Sequence, residues 1–239
     1  MTIALTAVAK TYLVCVGVSD YSGYPSKASS LRLPVNDART IAEIQTINKT
    51  RSINNGSLVY ALLLDSLATK DRIIRAMNKL YQNAKEDDTV ILFFSGHGYN
   101  GGFCVYDGDI EYDDIRIAMS NSKSRNKMIF ADACRSGGLR EKRVSSDLLS
   151  EDSSKANVML LLSSRTNENS IERSDMQNGF FTEFLKRGLS GKADFNRDRV
   201  ITAKELFEYV HKGVIDISDG KQHPVMWGNF NDQMPVIKW

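Results

Sequence analysis

The sequence predicts an α/β fold in which a mostly parallel sheet is covered by helices on both faces. Continuous apolar runs of strand length recur along the chain, and helical patterns separate most of them. Continuous rather than alternating apolar runs are typical of strands that are buried on both faces. The composition, 42% hydrophobic and 25% charged, is that of an ordinary globular chain.

The elements follow in a regular order. The apolar runs predict core strands at residues 11–18, 57–64, 89–94, 127–132 and 157–164. Apolar residues at helical spacing predict helices at residues 36–47, 70–81, 113–120, 179–189 and 202–214, with Asn36 and Thr69 as N-caps of the first two. Residues 102–108 are expected to form a short strand and turn, and the irregular tail from His223 contains a possible last strand.

Charge and cysteine content exclude several classes of function. The chain has 31 basic and 29 acidic residues and a formal net charge of +2, so we expect neither a nucleic-acid-binding surface nor a polybasic membrane patch. Cys15, Cys104 and Cys134 are three widely spaced cysteines, which does not suit a disulfide framework or a zinc site. We therefore expect reduced thiols.

The first nine residues do not determine the cellular compartment of the protein. Residues 1–9 are apolar and end in an A-x-A pattern, but they lack the positive region of a complete signal peptide. They are either the remnant of a signal peptide or a simple leader. The chain is cytoplasmic by default, and secreted or periplasmic if the first interpretation holds.

Two predicted strands end in residues that can carry out chemistry together. One runs into Ser95-Gly96-His97-Gly98 and the other into Asp132-Ala133-Cys134. Sites in open α/β sheets form at the carboxyl ends of adjacent strands, where imidazole and thiol would meet. A thiolate is the attacking form of cysteine, an imidazole can hold or donate its proton, and the amides of Gly98 and Cys134 could stabilise an oxyanion. Either motif alone could instead be a packed thiol or a turn histidine.

The two motifs, "ILFFSGHG" and "MIFADACRSGG", resemble the catalytic pair of the caspase-like cysteine peptidases. The resemblance covers nearly the whole chain from about residue 10. It implies a three-layer α/β/α sandwich with a sheet of about six strands, and a cysteine-type endopeptidase with His97 and Cys134 as catalytic residues. Asp132 stands where animal caspases have Gln, so the chain is more similar to metacaspases and bacterial orthocaspases.

The resemblance also implies a substrate pocket. In the metacaspase branch, residues at the positions of Asp37, Ser95 and Asp132 hold the side chain before the scissile bond. Two carboxylates favour a guanidinium or ammonium group, which predicts cleavage after Arg or Lys. Asp37 could instead be only a helix N-cap, and Asp132 only a structural acceptor. Pro34 stands where metacaspases often have Cys, so we expect that side of the pocket to be shaped differently.

The resemblance divides one structural domain into two regions. Residues 10–138 correspond to a large subunit and residues 157–239 to a small one, joined by an exposed, charged linker at 139–156. The linker is either a site of self-cleavage at a basic residue or a solvated loop. The alternative to an active peptidase is a catalytically silent or latent module of the same fold. Metacaspase-like relatives are generally monomeric, so we expect a monomer.

A calcium-like motif stands apart from these residues. Asp194, Asn196, Asp198 and Glu205 match the EF-hand ligand template, and calcium is a possible activator in this family branch. Arg199 occupies the position that normally requires glycine, and its charge opposes a cation. The alternative is a turn that caps the helix beginning near Thr202. We expect no cofactor for the chemistry itself, and a peptide or protein with a basic residue as substrate.

Overall fold

A computed structural model of the chain describes residues 9–26, 28–44, 58–99, 101–133, 158–164 and 175–238. The leader and the linker at 139–156 fall outside these residues, apart from Ala9. Within the described residues, no helix has the length and apolar character needed to span a membrane.

The centre of the fold is a six-stranded sheet in the order β10-β8-β7-β3-β1-β2. Neighbouring strands are parallel except for the edge pair of β10 and β8, which is antiparallel. The predicted fold class is confirmed. The strands of this sheet are β1 (Thr11–Gly17), β2 (Leu58–Leu64), β3 (Thr89–Gly96), β7 (Asn126–Ala133), β8 (Val158–Leu162) and β10 (Val225–Asn229).

Successive side chains of the central strands enter opposite cores, because strand side chains alternate between faces. In β1, Val14 and Val16 belong to one core, whereas Leu13 and Cys15 belong to the other. Helices α2 (Lys70–Tyr81) and α3 (Tyr112–Ser120) cover the first face. The second is covered by α1 (Pro34–Ala42), α4 (Phe180–Arg187) and α5 (Ala203–Ile217).

Two small sheets flank the main one. The first is formed by β4 (Gly98–Tyr99), β5 (Gly102–Val105) and β6 (Gly108–Glu111), and it continues directly from the end of β3. The second pairs β9 (Val200–Thr202) with β11 (Pro235–Lys238). The tail thus contains two strands, β10 and β11, where the sequence suggested one.

The start of the first helix differs from the prediction. Helix α1 begins at Pro34 and its N-cap is Leu33, so the prediction of Asn36 as N-cap is wrong. Proline suits the first helical turn, because its φ is already helical and the amide hydrogen that it lacks would have no helical partner there. The side chain of Asn36 instead donates to the carbonyl of Gln177 at 2.5 Å. Thr69, in contrast, caps α2 by accepting from the amide of Arg72, as predicted.

Candidate active site

Strands β3 and β7 lie side by side, and their carboxyl ends form the floor of the candidate site. Their register pairs Ser95 with Asp132 and Gly96 with Ala133. His97 follows Gly96 directly. Cys134 follows Ala133 in the sequence and lies outside the described residues. Gly98, the predicted oxyanion donor, begins β4 and pairs with Phe103.

The half-buried His97 is held on several sides. Its Nε2 lies 2.8 Å from the carbonyl oxygen of Ser29. Its backbone amide donates to the hydroxyl of Tyr21 at 2.7 Å, and the centroids of the two rings are 4.7 Å apart. A carbonyl oxygen can only accept, so Nε2 carries a hydrogen and Nδ1 has the free electron pair of the neutral ring.

Asp37 sits in the first turns of α1 and contacts two other segments. One carboxylate oxygen accepts from the hydroxyl of Ser95 at 2.9 Å. The other accepts from the side-chain amide of Asn178 at 2.9 Å and from the backbone amide of Gly179 at 3.1 Å. Asp37 is only 2% exposed. These contacts bring two of the predicted pocket residues, Asp37 and Ser95, together. Because α1 begins at Pro34 with Leu33 as its N-cap, Asp37 is not the N-cap of this helix.

The carboxylate of Asp132 accepts hydrogen bonds from the first turn of α4. The N-cap of this helix is Gly179, which has no side chain with which to cap it. One carboxylate oxygen of Asp132 accepts instead from the backbone amide of Thr182 at 3.2 Å and from its hydroxyl at 2.8 Å. A Cβ at Gly179 would lie 2.5 Å from that same oxygen, so only glycine allows this approach.

Burial and the nearby carboxylate of Asp132 make ionisation of the Asp37 carboxyl group unfavourable. Burial, and then the negative charge of Asp132, raise the pKa of Asp37 from 3.8 to about 8. The hydrogen bonds from Asn178, Ser95 and Gly179 act in the opposite direction, because they favour the charged form. The recess therefore holds less negative charge near neutral pH than two ordinary aspartates would.

Four residues of this region were not foreseen from the sequence: Tyr21, Ser29, Asn178 and Thr182. Each reaches its partner across a long stretch of chain, as Asn178 does with Asp37. For Thr182, the sequence did contain a signal that its helix needs a distant hydrogen-bond acceptor. A predicted helix that begins at a glycine has no local side chain to cap it, so a distant acceptor must satisfy its first amides.

The calcium-like segment forms a turn and a helix cap. One Asp194 oxygen accepts from the backbone amide of Arg199, whose φ is 69°. The Glu205 carboxylate accepts from the backbone amide and hydroxyl of Thr202 at the start of α5, so this ligand candidate is already engaged. Across the described parts of the chain, no three His, Cys, Asp or Glu side chains form a group that could hold a metal ion. The other Asp194 oxygen, Oδ1, is buried without a hydrogen-bond partner, and calcium binding at this segment stays a prediction.

Comparisons with known proteins agree with this architecture. A family model described as "Caspase domain" matches residues 11–234. Among solved structures, protein GSU0716 from Geobacter sulfurreducens aligns with a TM-score of 0.66 and 20% identity, covering 96% of this chain and 99% of that one. Caspase-1 from Spodoptera frugiperda aligns with a TM-score of 0.63 and 15% identity, covering 96% and 90%. At these identities the likeness concerns the fold. A search of curated proteins returned no match.

Proposed function

Because the chain belongs to the caspase domain family, we propose that it is a cysteine endopeptidase that cleaves after Arg or Lys. One observation carries the proposal: Gly96 and Ala133 are partners in adjacent parallel strands. The next residue of one strand is His97 and that of the other is Cys134. The paired ends of these two strands are thus followed in the sequence by an imidazole and a thiol, which supports a Cys-His pair.

The hydrogen bond from His97 to Ser29 supports one order of proton transfers in this proposal. Nε2 donates to the Ser29 carbonyl, so Nδ1 accepts the proton of the Cys134 thiol. The sulfur attacks the scissile carbonyl carbon, and the amides of Gly98 and Cys134 stabilise the resulting oxyanion. Nδ1 then gives its proton to the leaving amine as the C–N bond breaks. Water hydrolyses the remaining thioester and restores the thiol.

The acidic recess supports selection of a basic side chain. The negative charge of each aspartate, Asp37 or Asp132, makes ionisation of the other less favourable. A guanidinium or ammonium group between them would offset this repulsion. Arginine can also bind a carboxylate through two parallel hydrogen bonds. An acidic substrate side chain would add a third carboxyl group to the same buried space, where ionisation is already unfavourable. The pocket should therefore reject Asp at the cleavage position.

The test is hydrolysis of fluorogenic peptides that differ only in Arg, Lys or Asp before the scissile bond. We expect turnover of the Arg and Lys peptides, with a loss of about a thousandfold or more in His97→Ala and Cys134→Ala. Cys15→Ala is the matched thiol control and should retain activity. Faster turnover of the Asp peptide would reject the pocket assignment, and equal rates for wild type and Cys134→Ala would reject the enzyme.

One observation favours a latent form of the same peptidase. Both oxygens of Asp37 and one of Asp132 already accept hydrogen bonds from the chain itself. Such a pocket would have to rearrange before a substrate side chain could enter, and cleavage of the linker is one trigger. The linker contains Arg140, Lys142, Arg143 and Lys155 as self-cleavage sites. Mass spectrometry of wild type and Cys134→Ala, with and without added calcium, would reveal such a cut and any need for the ion.

A further inference from the structure

Tyr21 joins three segments around His97, although the proposed reaction does not use it. The residue lies in the loop after β1 and is 2% exposed. Its hydroxyl accepts from the backbone amide of His97 at 2.7 Å and donates to the carbonyl of Cys104 at 3.2 Å. The amide of Cys104 in turn donates to the carbonyl of His97 at 2.9 Å. The backbone of His97 is thus fixed at both its amide and its carbonyl.

The ring of Tyr21 also restrains the imidazole. The two ring planes are inclined at 48° with centroids 4.7 Å apart, so the phenol ring packs against the imidazole. The Ser29 carbonyl binds Nε2 at the edge of the imidazole ring. Rotation of the ring would break the bond to Ser29 and move against the phenol. These contacts select one orientation of the ring and leave Nδ1 available.

Gly96 makes the approach of the Tyr21 hydroxyl possible. Its φ is 156°, and a Cβ at this position would lie 2.6 Å from that hydroxyl oxygen. Any other residue would therefore displace the group that accepts from the amide of His97. Gly96, which precedes the histidine in the motif, therefore leaves the space that the Tyr21 hydroxyl occupies.

We propose that Tyr21 is a positioning residue for His97, which holds the imidazole so that Nδ1, and not Nε2, exchanges protons with the thiol. The inference rests on the proposed catalytic role of His97. A positioning role predicts that loss of the hydroxyl slows the chemical step more than it weakens substrate binding, because the hydroxyl contacts the backbone of His97 and of Cys104.

The test compares Tyr21→Phe with Tyr81→Phe. Tyr81 is an equally buried tyrosine whose hydroxyl also donates to a backbone carbonyl, that of Ile91 at 2.7 Å, far from the site. Tyr21→Phe removes the two hydrogen bonds of its buried hydroxyl and Tyr81→Phe removes one, so the stability of both variants is measured by urea unfolding beside kcat. For Tyr21→Phe we expect a fall in kcat of about tenfold with KM nearly unchanged, because the base is misplaced. For Tyr81→Phe we expect kcat within about twofold of wild type.

A second readout does not depend on turnover. The chain has three histidines, so ¹⁵N spectra of the imidazoles can be assigned with a His97→Ala variant. We expect a single tautomer at His97 in wild type and in Tyr81→Phe, and averaging of both tautomers in Tyr21→Phe. An unchanged tautomer in Tyr21→Phe, or equal kcat in the two tyrosine variants, would overturn the inference. If wild type hydrolyses no peptide, the proposed function fails, and the spectra alone decide the role of Tyr21.

Discussion

Asp37 determines how the charge of the pocket responds to pH. Its carboxyl is buried beside Asp132, and its pKa is raised to about 8. In the free protein it is therefore mostly protonated near neutral pH. In the proposed function, a bound guanidinium would stabilise the ionised form, so binding of a basic side chain would be coupled to release of this proton.

The first prediction concerns substrate affinity. Because Asp37 must ionise to pair with the cation, KM for an Arg peptide should fall several-fold between pH 6 and pH 8. In Asp37→Asn the KM should be higher and nearly independent of pH over this range. Steady-state kinetics at fixed ionic strength measure both. A pH-independent KM in wild type would contradict this account of Asp37.

The second prediction concerns stability and follows from the same group. The folded protein holds the proton of Asp37 more tightly than the unfolded chain, whose value is near 3.8. The contribution of this group to folding is therefore lost progressively as the pH rises from about 4 towards about 8. Asp37→Asn should lose less stability over this range than wild type, as measured by urea unfolding. The exposed Asp113→Asn control should behave as wild type does, and identical pH slopes for all three proteins would contradict the prediction.

Single residues show where sequence reasoning succeeded and where it failed. The family resemblance predicts Asp37, Ser95 and Asp132 as pocket residues, and the structure brings the side chains of Asp37 and Ser95 into contact. Asn178 was missed because its bond to Asp37 spans most of the chain and no local pattern encodes it. Asn36 was misassigned as a cap because Asn is a good capping residue. Pro34, two positions earlier, starts the helix instead.

At the level of elements, α4 depends on the pocket acids for its first turn. Its N-terminal amides are satisfied by Asp37 and Asp132, so the helix and the pocket are a single unit. This arrangement keeps the acids fixed, since the partially positive end of a helix favours negative charge. A change at the start of α4 should therefore affect substrate selection.

The third prediction tests this coupling with Gly179→Ala. The added methyl would lie 2.5 Å from the Asp132 carboxylate and must push it aside. We expect KM for Arg peptides to rise by about tenfold or more, since a displaced carboxylate loses its bond to the guanidinium. Gly188→Ala at the other end of α4 is the control, because its methyl would meet the flexible end of Leu206 at 2.8 Å and the Tyr209 ring at 3.2 Å, and neither is a pocket acid. Equal effects of the two substitutions would indicate general destabilisation.

The long core strands were predicted more accurately than the short strands, and the reason is physical. The core strands are continuous apolar runs, and the structure places all five in the central sheet within a few residues of the predicted bounds. Strands β4, β9 and β11 have only two to four residues each, and pairing with a neighbour rather than local sequence defines them. Short segments of this kind carry too little periodicity to be recognised.

At the scale of the whole molecule, the regions before and after the linker share one sheet. Strand β8 pairs with β7 over five register positions, and β10 extends the sheet further. The side chains of Arg32 and Asn36 also bind the carbonyls of Met176 and Gln177. These contacts do not need an intact linker. The pairing itself could not be read from the sequence, because it depends on the spatial order of the strands.

The fourth prediction follows from this shared sheet. A chain cut within residues 139–156, by itself or at an inserted protease site, should remain a single folded particle. We expect both fragments to elute together from a sizing column in buffer and to separate in strong denaturant. Elution as separate fragments in buffer would show that the linker, and not the sheet, holds the two regions together.

The most direct measurement of the central claim is labelling with a peptide that carries Arg before a thiol-reactive ketone. We predict one adduct, located on Cys134 by peptide mapping, with Cys15 and Cys104 unmodified. The same peptide with Asp in place of Arg, and the His97→Ala variant with the Arg reagent, should react far more slowly. An adduct on another cysteine, or equal rates with Arg and Asp or with and without His97, would contradict a basic-specific peptidase built on these two residues.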